Sequence, residues 1–121
     1  MSINRILVVD DSPTERFFLS ELLVKNGYLV SMAESGEEAV AQAKASHPDL
    51  IVMDVVMPGM NGFQATRALS KEDTTKNIPV IMCTTKGQET DKVWGIRQGA
   101  KAYLVKPVNP EELLGQIKAL A

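Results

Sequence analysis

The sequence predicts a doubly wound α/β domain, a five-stranded parallel sheet in the order 2-1-3-4-5 with helices on both faces. Three observations predict it. Short apolar runs recur at 6–9, 28–32, 50–53, 80–83 and 103–105 along a chain of 121 residues. The stretches between them carry helical periodicity. Apart from Ser31 in the second, the runs are apolar throughout rather than alternating, as strands covered on both faces require. Strict alternation of strand and helix supplies the crossover connections that parallel pairing needs.

The elements follow in order. Ile6-Leu7-Val8-Val9 forms the first strand. Ser12-Pro13-Thr14-Glu15 is a capping box with proline at the first helical position, and Gly27 stands where a helix ends. These signals predict a helix over 13–26, whose amphipathic pattern is read from Phe17, Phe18, Glu21, Leu22 and Val24. The run at 28–32 gives the second strand. Ser35-Gly36-Glu37-Glu38 opens a second helix that must end before His47-Pro48, because the residue before a proline is biased away from helix. The third strand is Leu50-Ile51-Val52-Met53, and a helix near 62–71 follows it. Val80-Ile81-Met82-Cys83 is the fourth strand, followed by a helix over 88–98 that closes at Gly99. Tyr103-Leu104-Val105 is the fifth. Asn109-Pro110-Glu111-Glu112 opens the last helix, with Leu113, Leu114, Ile117 and Leu120 as its apolar stripe. The arrangement is flavodoxin-like, and strands 1 and 3 flank its switch point.

Composition narrows the function. With 45% hydrophobic residues the chain can bury a core without disulfides or metals. A net charge of −2, with 13 basic residues scattered along the sequence, gives no nucleic-acid footprint. The single cysteine, Cys83, cannot form an intramolecular disulfide and fits a reducing compartment; inside an apolar run it reads as an inert core thiol. The N-terminus lacks a signal-peptide pattern, and no stretch approaches membrane-spanning length. The expectation is a cytoplasmic monomer with no membrane insertion. Residues 1–121 are expected to form one domain, and the end of the chain at Ala121 gives the further expectation that no output domain follows.

Chemistry concentrates at the strand exits. Asp10 and Asp11 follow the first strand, Asp54 the third, Thr84 and Thr85 the fourth, and Lys106 the fifth. Ligands of open parallel sheets bind in the crevice beyond these carboxyl ends. Three converging carboxylates repel one another, so one stays protonated or a divalent cation sits among them. Oxygen ligands suit Mg²⁺. A carboxylate can itself be the nucleophile in phosphoryl transfer, with Lys106 and the Thr84 hydroxyl stabilising the phosphoryl group. Singly, each residue has a plainer reading as a turn residue, an N-cap or a solvated lysine. No phosphate-binding glycine motif follows a strand. His47, the only histidine, precedes a proline in a loop and reads as a surface residue.

The ordered set Asp10-Asp11, Asp54, Met57-Pro58-Gly59, Asn61-Gly62, Thr84, Gly99-Ala100, Tyr103 and Lys106-Pro107 resembles the receiver domain of two-component response regulators over essentially the whole chain. The resemblance implies that Asp54 takes a phosphoryl group from a histidine kinase of the chemosensory type. It implies that Asp11, Asp54 and the backbone carbonyl of Val56 ligate Mg²⁺ directly, with Asp10 acting through water. Thr84 and Tyr103 would be a switch pair: the hydroxyl moves toward the phosphate and the ring turns inward behind it. Lys106 would pair with the phosphoryl oxygens, aided by a cis Lys106-Pro107 bond, and the backbone at Val55 and Thr85 would contact the phosphoryl group. Such a domain catalyses its own phosphotransfer and autodephosphorylation. The segments Asp11–Glu15, Val56–Arg67 and Gln88–Gly95 look most like stand-alone PilH-type regulators of type IV pilus twitching motility. Val56 and Lys86 stand where receivers often carry polar or acidic residues, and Thr85 where Ala or Gly is frequent.

The implied function is a phosphorylation-controlled switch that binds a motility-apparatus or signalling protein. The alternative is a phosphate sink or relay intermediate that drains the kinase. Val93, Trp94 and Ile96 sit too close together for one helix face to bury all three, so at least one stays exposed. Ile96 is placed on the exposed side facing Tyr103, Trp94 half-buried at the flank, and the three residues Ile96, Trp94 and Tyr103 form the expected partner face.

Overall fold

The apolar runs form strands, and the computed structural model, which describes residues 2–121, orders them as the sequence predicts. The elements are β1 (Arg5–Val9), α1 (Pro13–Lys25), β2 (Leu29–Ala33), α2 (Gly36–Ser46), β3 (Leu50–Met53), α3 (Gly62–Lys71), β4 (Val80–Thr84), α4 (Glu89–Gln98), β5 (Ala102–Val105) and α5 (Pro110–Leu120). The strands pair in parallel in the order β2-β1-β3-β4-β5.

Helix boundaries fall on the capping residues. Ser12, Ser35, Asn61 and Asn109 each accept a backbone N–H from the first turn of their helices. Gly99 closes α4 at φ +118°, a conformation that favours glycine. Gly27 follows the Asn26 cap of α1 at φ +92°.

Strand alternation divides the core into two layers. Ile6 and Val8 join Leu50, Val52, Ile81, Cys83 and Leu104 beneath α1 and α5. Leu7 and Val9 join Ile51, Met53, Val80 and Met82 beneath α2, α3 and α4. Successive residues of a strand face opposite sides, and both sides here are covered, which is why no polar residue interrupts β3.

The first helix corrects the sequence reading. Its core-facing residues are Leu19 and Leu23, while Phe17, Phe18 and Val24 are 67%, 44% and 57% exposed. Apolar residues occupy nearly every direction around this helix, so periodicity alone did not select the buried side. Leu19 and Leu23, one turn apart, are the pair that meets the sheet.

Candidate functional site

Register brings the carboxylates together. Val9 of β1 is paired with Met53 of β3. The next residue on each strand is therefore an aspartate, and the Asp54 N–H donates to the Val9 carbonyl at 2.9 Å. β1 ends at Val9, so the backbone turns after Asp10 and Asp11 is freed from strand alternation. Carboxylate oxygens of Asp10, Asp11 and Asp54 all lie within 4.8 Å of one another. Asp10 and Asp54 are buried and Asp11 is exposed.

Lys106 arrives from the other side of the crevice. Its backbone N–H donates to the Thr84 carbonyl at 2.8 Å, which continues the pairing of Thr84 with Val105 by one residue. Its peptide bond to Pro107 is cis, as the resemblance implied. The ammonium donates to Asp10 Oδ2 at 2.7 Å and lies 3.6 Å from Asp54 Oδ2 and 3.9 Å from Glu15 Oε2. With the side chain only 10% exposed, this cation replaces part of the hydration the aspartates lose.

The electrostatics follow from this packing. Burial pushes the Asp54 pKa above the usual carboxylate value, and the neighbouring Asp10 charge adds to the rise; Lys106, the Val55 N–H and the Thr84 hydroxyl pull against it. Burial alone would lower the Lys106 pKa, but the Asp10 hydrogen bond and the charges of Asp54, Asp10 and Glu15 outweigh it and hold the pKa above its ordinary value. The carboxylates around it thus favour the charged ammonium.

The donor set fits a hard divalent cation. Both Asp10 oxygens already accept hydrogen bonds, Oδ1 from the Ser12 N–H and Oδ2 from Lys106. Asp54 Oδ1 accepts the Val55 N–H at 2.8 Å, while Asp11 makes no hydrogen bond among the described residues. Asp11 and Asp54 are thus the freer oxygen donors, and Asp10 is committed to the protein. Oxygen donors of this kind select Mg²⁺ over softer metals.

Gly62 makes the next contact possible. A Cβ there would meet the Asp54 carbonyl oxygen and, at 2.8 Å, the Val55 Cα, so α3 starts hard against the residue pair that leaves β3. Val55 is buried, and Val56 is 53% exposed at the rim. Thr84 is fully buried and its hydroxyl accepts the Lys86 N–H at 3.3 Å, while Thr85 is exposed. The Tyr103 hydroxyl donates to the Lys86 carbonyl at 2.7 Å. Lys86 therefore links the two residues expected to switch, accepting from one and donating to the other through its own peptide groups.

Some members were not legible in the sequence. Arg16 donates to the Asp10 carbonyl at 2.7 Å and lies 3.4 Å from Glu34, which braces the β1 exit. The Glu37 carboxylate accepts the Met60 N–H at 3.1 Å and so holds the loop after Val56. Glu15 shares Lys106. Each depends on a partner far along the chain, and only Glu15 carried a signal, as part of the capping box.

On α4, Val93, Trp94 and Ile96 are 47%, 48% and 50% exposed. Trp94 is about half covered, as expected, but Ile96, expected to be the more exposed of the two, is exposed to nearly the same extent. The reason is that α4 meets the sheet through Gly95 and Gln98, its only buried residues, so residues on both sides of Gly95 turn outward. His47 is exposed and caps α2 in the left-handed conformation, and Cys83 is buried with its thiol pushed up to about 12 by burial. Both readings of these residues hold. Among the described residues, no helix is long and apolar enough to cross a membrane.

Comparison with known proteins follows this geometry. The family model of the response regulator receiver domain matches residues 6–118. Protein PilH of Pseudomonas aeruginosa is 59% identical over 116 residues, 96% of this chain and 96% of that protein. The phosphate regulon transcriptional regulatory protein PhoB of Escherichia coli is 41% identical, and this chain spans 51% of its length. The solved structure of chemotaxis protein CheY4 of Vibrio cholerae superposes with a TM-score of 0.91 at 38% identity, covering 99% of this chain and 100% of that one.

Proposed function

The chain belongs to the response regulator receiver domain family, and on that premise we propose that it is a stand-alone phosphorylation switch whose Asp54 accepts a phosphoryl group from a histidine kinase. The observation that carries the proposal is the pairing of a buried, register-fixed Asp54 with Lys106 at 3.6 Å and two further carboxylates within 4.8 Å. In this reading the Asp54 carboxylate attacks the phosphorus of a phosphohistidine. The new O–P bond forms as the P–N bond breaks, and the imidazole leaves with the electron pair of that bond.

Asp11, Asp54 and the Val56 carbonyl would hold Mg²⁺, with Asp10 one step removed. The bound cation supplies charge neutralisation to the phosphoryl oxygens. Lys106 shifts its ammonium from Asp10 toward the phosphoryl group, which carries more charge than the carboxylate it replaces. The Val55 and Thr85 backbone and the Thr84 hydroxyl donate to the remaining oxygens. When Thr84 turns to the phosphate, the Lys86 N–H loses its acceptor, and the Lys86 carbonyl that holds Tyr103 is released with it. That is a physical route from phosphate to α4.

We infer that the output is protein binding through the face formed by Ile96, Trp94 and Tyr103. The likeness to PilH supports a place in type IV pilus twitching motility, with a chemosensory kinase as donor and a motility or signalling protein as target. One measurement separates this switch from a phosphate sink: the lifetime of phospho-Asp54 with the kinase present and absent. A lasting phosphoprotein supports the switch, and rapid kinase-dependent drainage supports the sink. Asp54→Asn should abolish labelling by a small phosphodonor; wild-type labelling of that variant would refute the site.

A further inference from the structure

The proposed Mg²⁺ ligands are not held alike. Asp54 is fixed by the register of β3 on β1, and Asp11 by the turn that ends β1. Val56 belongs to neither strand nor helix. It lies three residues beyond the end of β3, in the loop that leads to Gly62 and α3. Both ends of that loop are tied down. The Asp54 N–H donates to the Val9 carbonyl and the Gly62 N–H to the Val55 carbonyl, each at 2.9 Å, and Asn61 exchanges hydrogen bonds with Gln64. In the middle Met57 is buried, but Val56 is 53% exposed and packs too little to fix the direction of its own carbonyl.

One hydrogen bond crosses from this stretch to another element. The Met60 N–H donates to Glu37 Oε2 at 3.1 Å, and among the described residues no other hydrogen bond joins 56–60 to the rest of the fold. The packing around it is close. Gly59 takes φ +71°, in the left-handed region, and a Cβ there would stand 2.8 Å from Glu37 Oε2. A Cβ on Gly36, the first residue of α2, would stand 2.5 Å from the Met60 carbonyl oxygen. Two glycines thus bring the start of α2 and the loop into direct contact. Glu37 has no ion-pair partner among the described residues, so the loop N–H is the group its carboxylate engages. An acidic residue in a first turn also suits the helix dipole, which is the plainer role for Glu37. The dipole asks for a charge near the start of α2; it does not ask for an oxygen directed across at Met60.

We propose, on the reading of Asp11, Asp54 and Val56 as the ligand set, that Glu37 is a positioning residue for the Mg²⁺ site: by holding Met60 from outside, it fixes the loop in which Val56 turns its carbonyl to the cation. A ligand on an unbraced loop must be ordered each time the cation binds, and that ordering is subtracted from affinity. Outer supports that orient metal ligands weaken metal binding when they are removed. Glu37 itself stays out of the coordination shell. What the loop needs from it is an acceptor oxygen, and an amide oxygen can serve in its place.

The test compares the full chain with its Glu37→Gln and Glu37→Ala variants, with Mg²⁺ as the probe and titration calorimetry as the readout. Glu37→Ala should weaken Mg²⁺ binding about tenfold, the lower end of what loss of such a support costs. Glu37→Gln should bind close to wild type. The Met60 amide should exchange with solvent faster in the alanine variant alone. Labelling of Asp54 by a small phosphodonor should need correspondingly more Mg²⁺ in that variant to reach half its maximal rate. Wild-type Mg²⁺ affinity in Glu37→Ala would overturn the proposal and leave Glu37 as a dipole residue. Equal losses in the two variants would also overturn it, because the charge and not the hydrogen bond would then be responsible. Failure of the site reading looks different: the wild-type chain would itself bind no Mg²⁺, and Glu37 would have no cation to serve.

Discussion

Replacing Gly95 with alanine adds one methyl group at the point where α4 rests on the sheet. Its Cβ would stand 2.7 Å from Tyr103 Cδ2 and 2.9 Å from Met82 Sδ, so the ring must move by about 0.7 Å to reach ordinary contact at 3.4 Å. Two effects oppose each other. Alanine in a helix interior is favoured over glycine by about 1 kcal/mol. Overpacking against a buried methionine and a ring costs about 1–3 kcal/mol. The net is a destabilisation of up to about 2 kcal/mol, or a fall in Tm of roughly 4 °C per kcal/mol at this size. A second readout is specific to the mechanism. Burial first, and then the charges of Asp91 and Asp54, push the Tyr103 pKa up to about 12. A ring displaced outward should lose most of that shift and titrate nearer the ordinary value of about 10. Absorbance titration in a Tyr28→Phe background isolates it, since the chain has two tyrosines. A variant that is more stable than wild type while Tyr103 still titrates near 12 would show that room for the methyl exists, and the proposed ring contact would be wrong.

Asp54→Asn should stabilise the fold at neutral pH, because a carboxylate with a raised pKa is less comfortable charged in the fold than in the unfolded chain. The gain should be full above the raised pKa and vanish as pH falls below 3.8, where wild-type Asp54 is also neutral; urea melts across that range check both the sign and the window. Lys106→Ala leaves Asp10 and Asp54 without their cation and should destabilise by about 3 kcal/mol, with millimolar Mg²⁺ recovering part of it. In the same variant some phosphorylation should persist, but the phosphorylation-induced change in amide exchange across 84–106 should be lost; an unchanged difference refutes Lys106 as the coupling group. Ile96→Glu, at a residue 50% exposed, should leave melting and Asp54 labelling unaltered and weaken binding to the output partner; unimpaired binding would move the interface to another face.

The site was legible because its members sit at strand exits, where a parallel sheet has no freedom to scatter them. Asp10 and Asp54 needed only the order of the strands and the end of β1 to become neighbours. Helix caps were equally plain, since Ser12, Ser35 and Asn109 announce themselves by local chemistry. What could not be read required knowing which side of an element faces the sheet. Phe17, Phe18 and Val24 look like core residues by composition and are solvent-facing by geometry. Ile96 follows the same logic: it is exposed to nearly the same extent as Trp94, because the residue touching the sheet is the glycine between them.

The thin attachment of α4 carries a consequence for local opening. Only Gly95 and Gln98 are buried in α4, whereas α3 is anchored by Phe63, Ala65, Thr66 and Leu69. Little apolar area holds α4 down, so its backbone amides should open to solvent at a free energy well below that of global unfolding. Native-state hydrogen exchange should find α4 the fastest-exchanging helix while α3 and the central strands remain closed. The helix that carries the exposed Val93, Trp94 and Ile96 is then also the one whose detachment leaves the remainder of the domain standing.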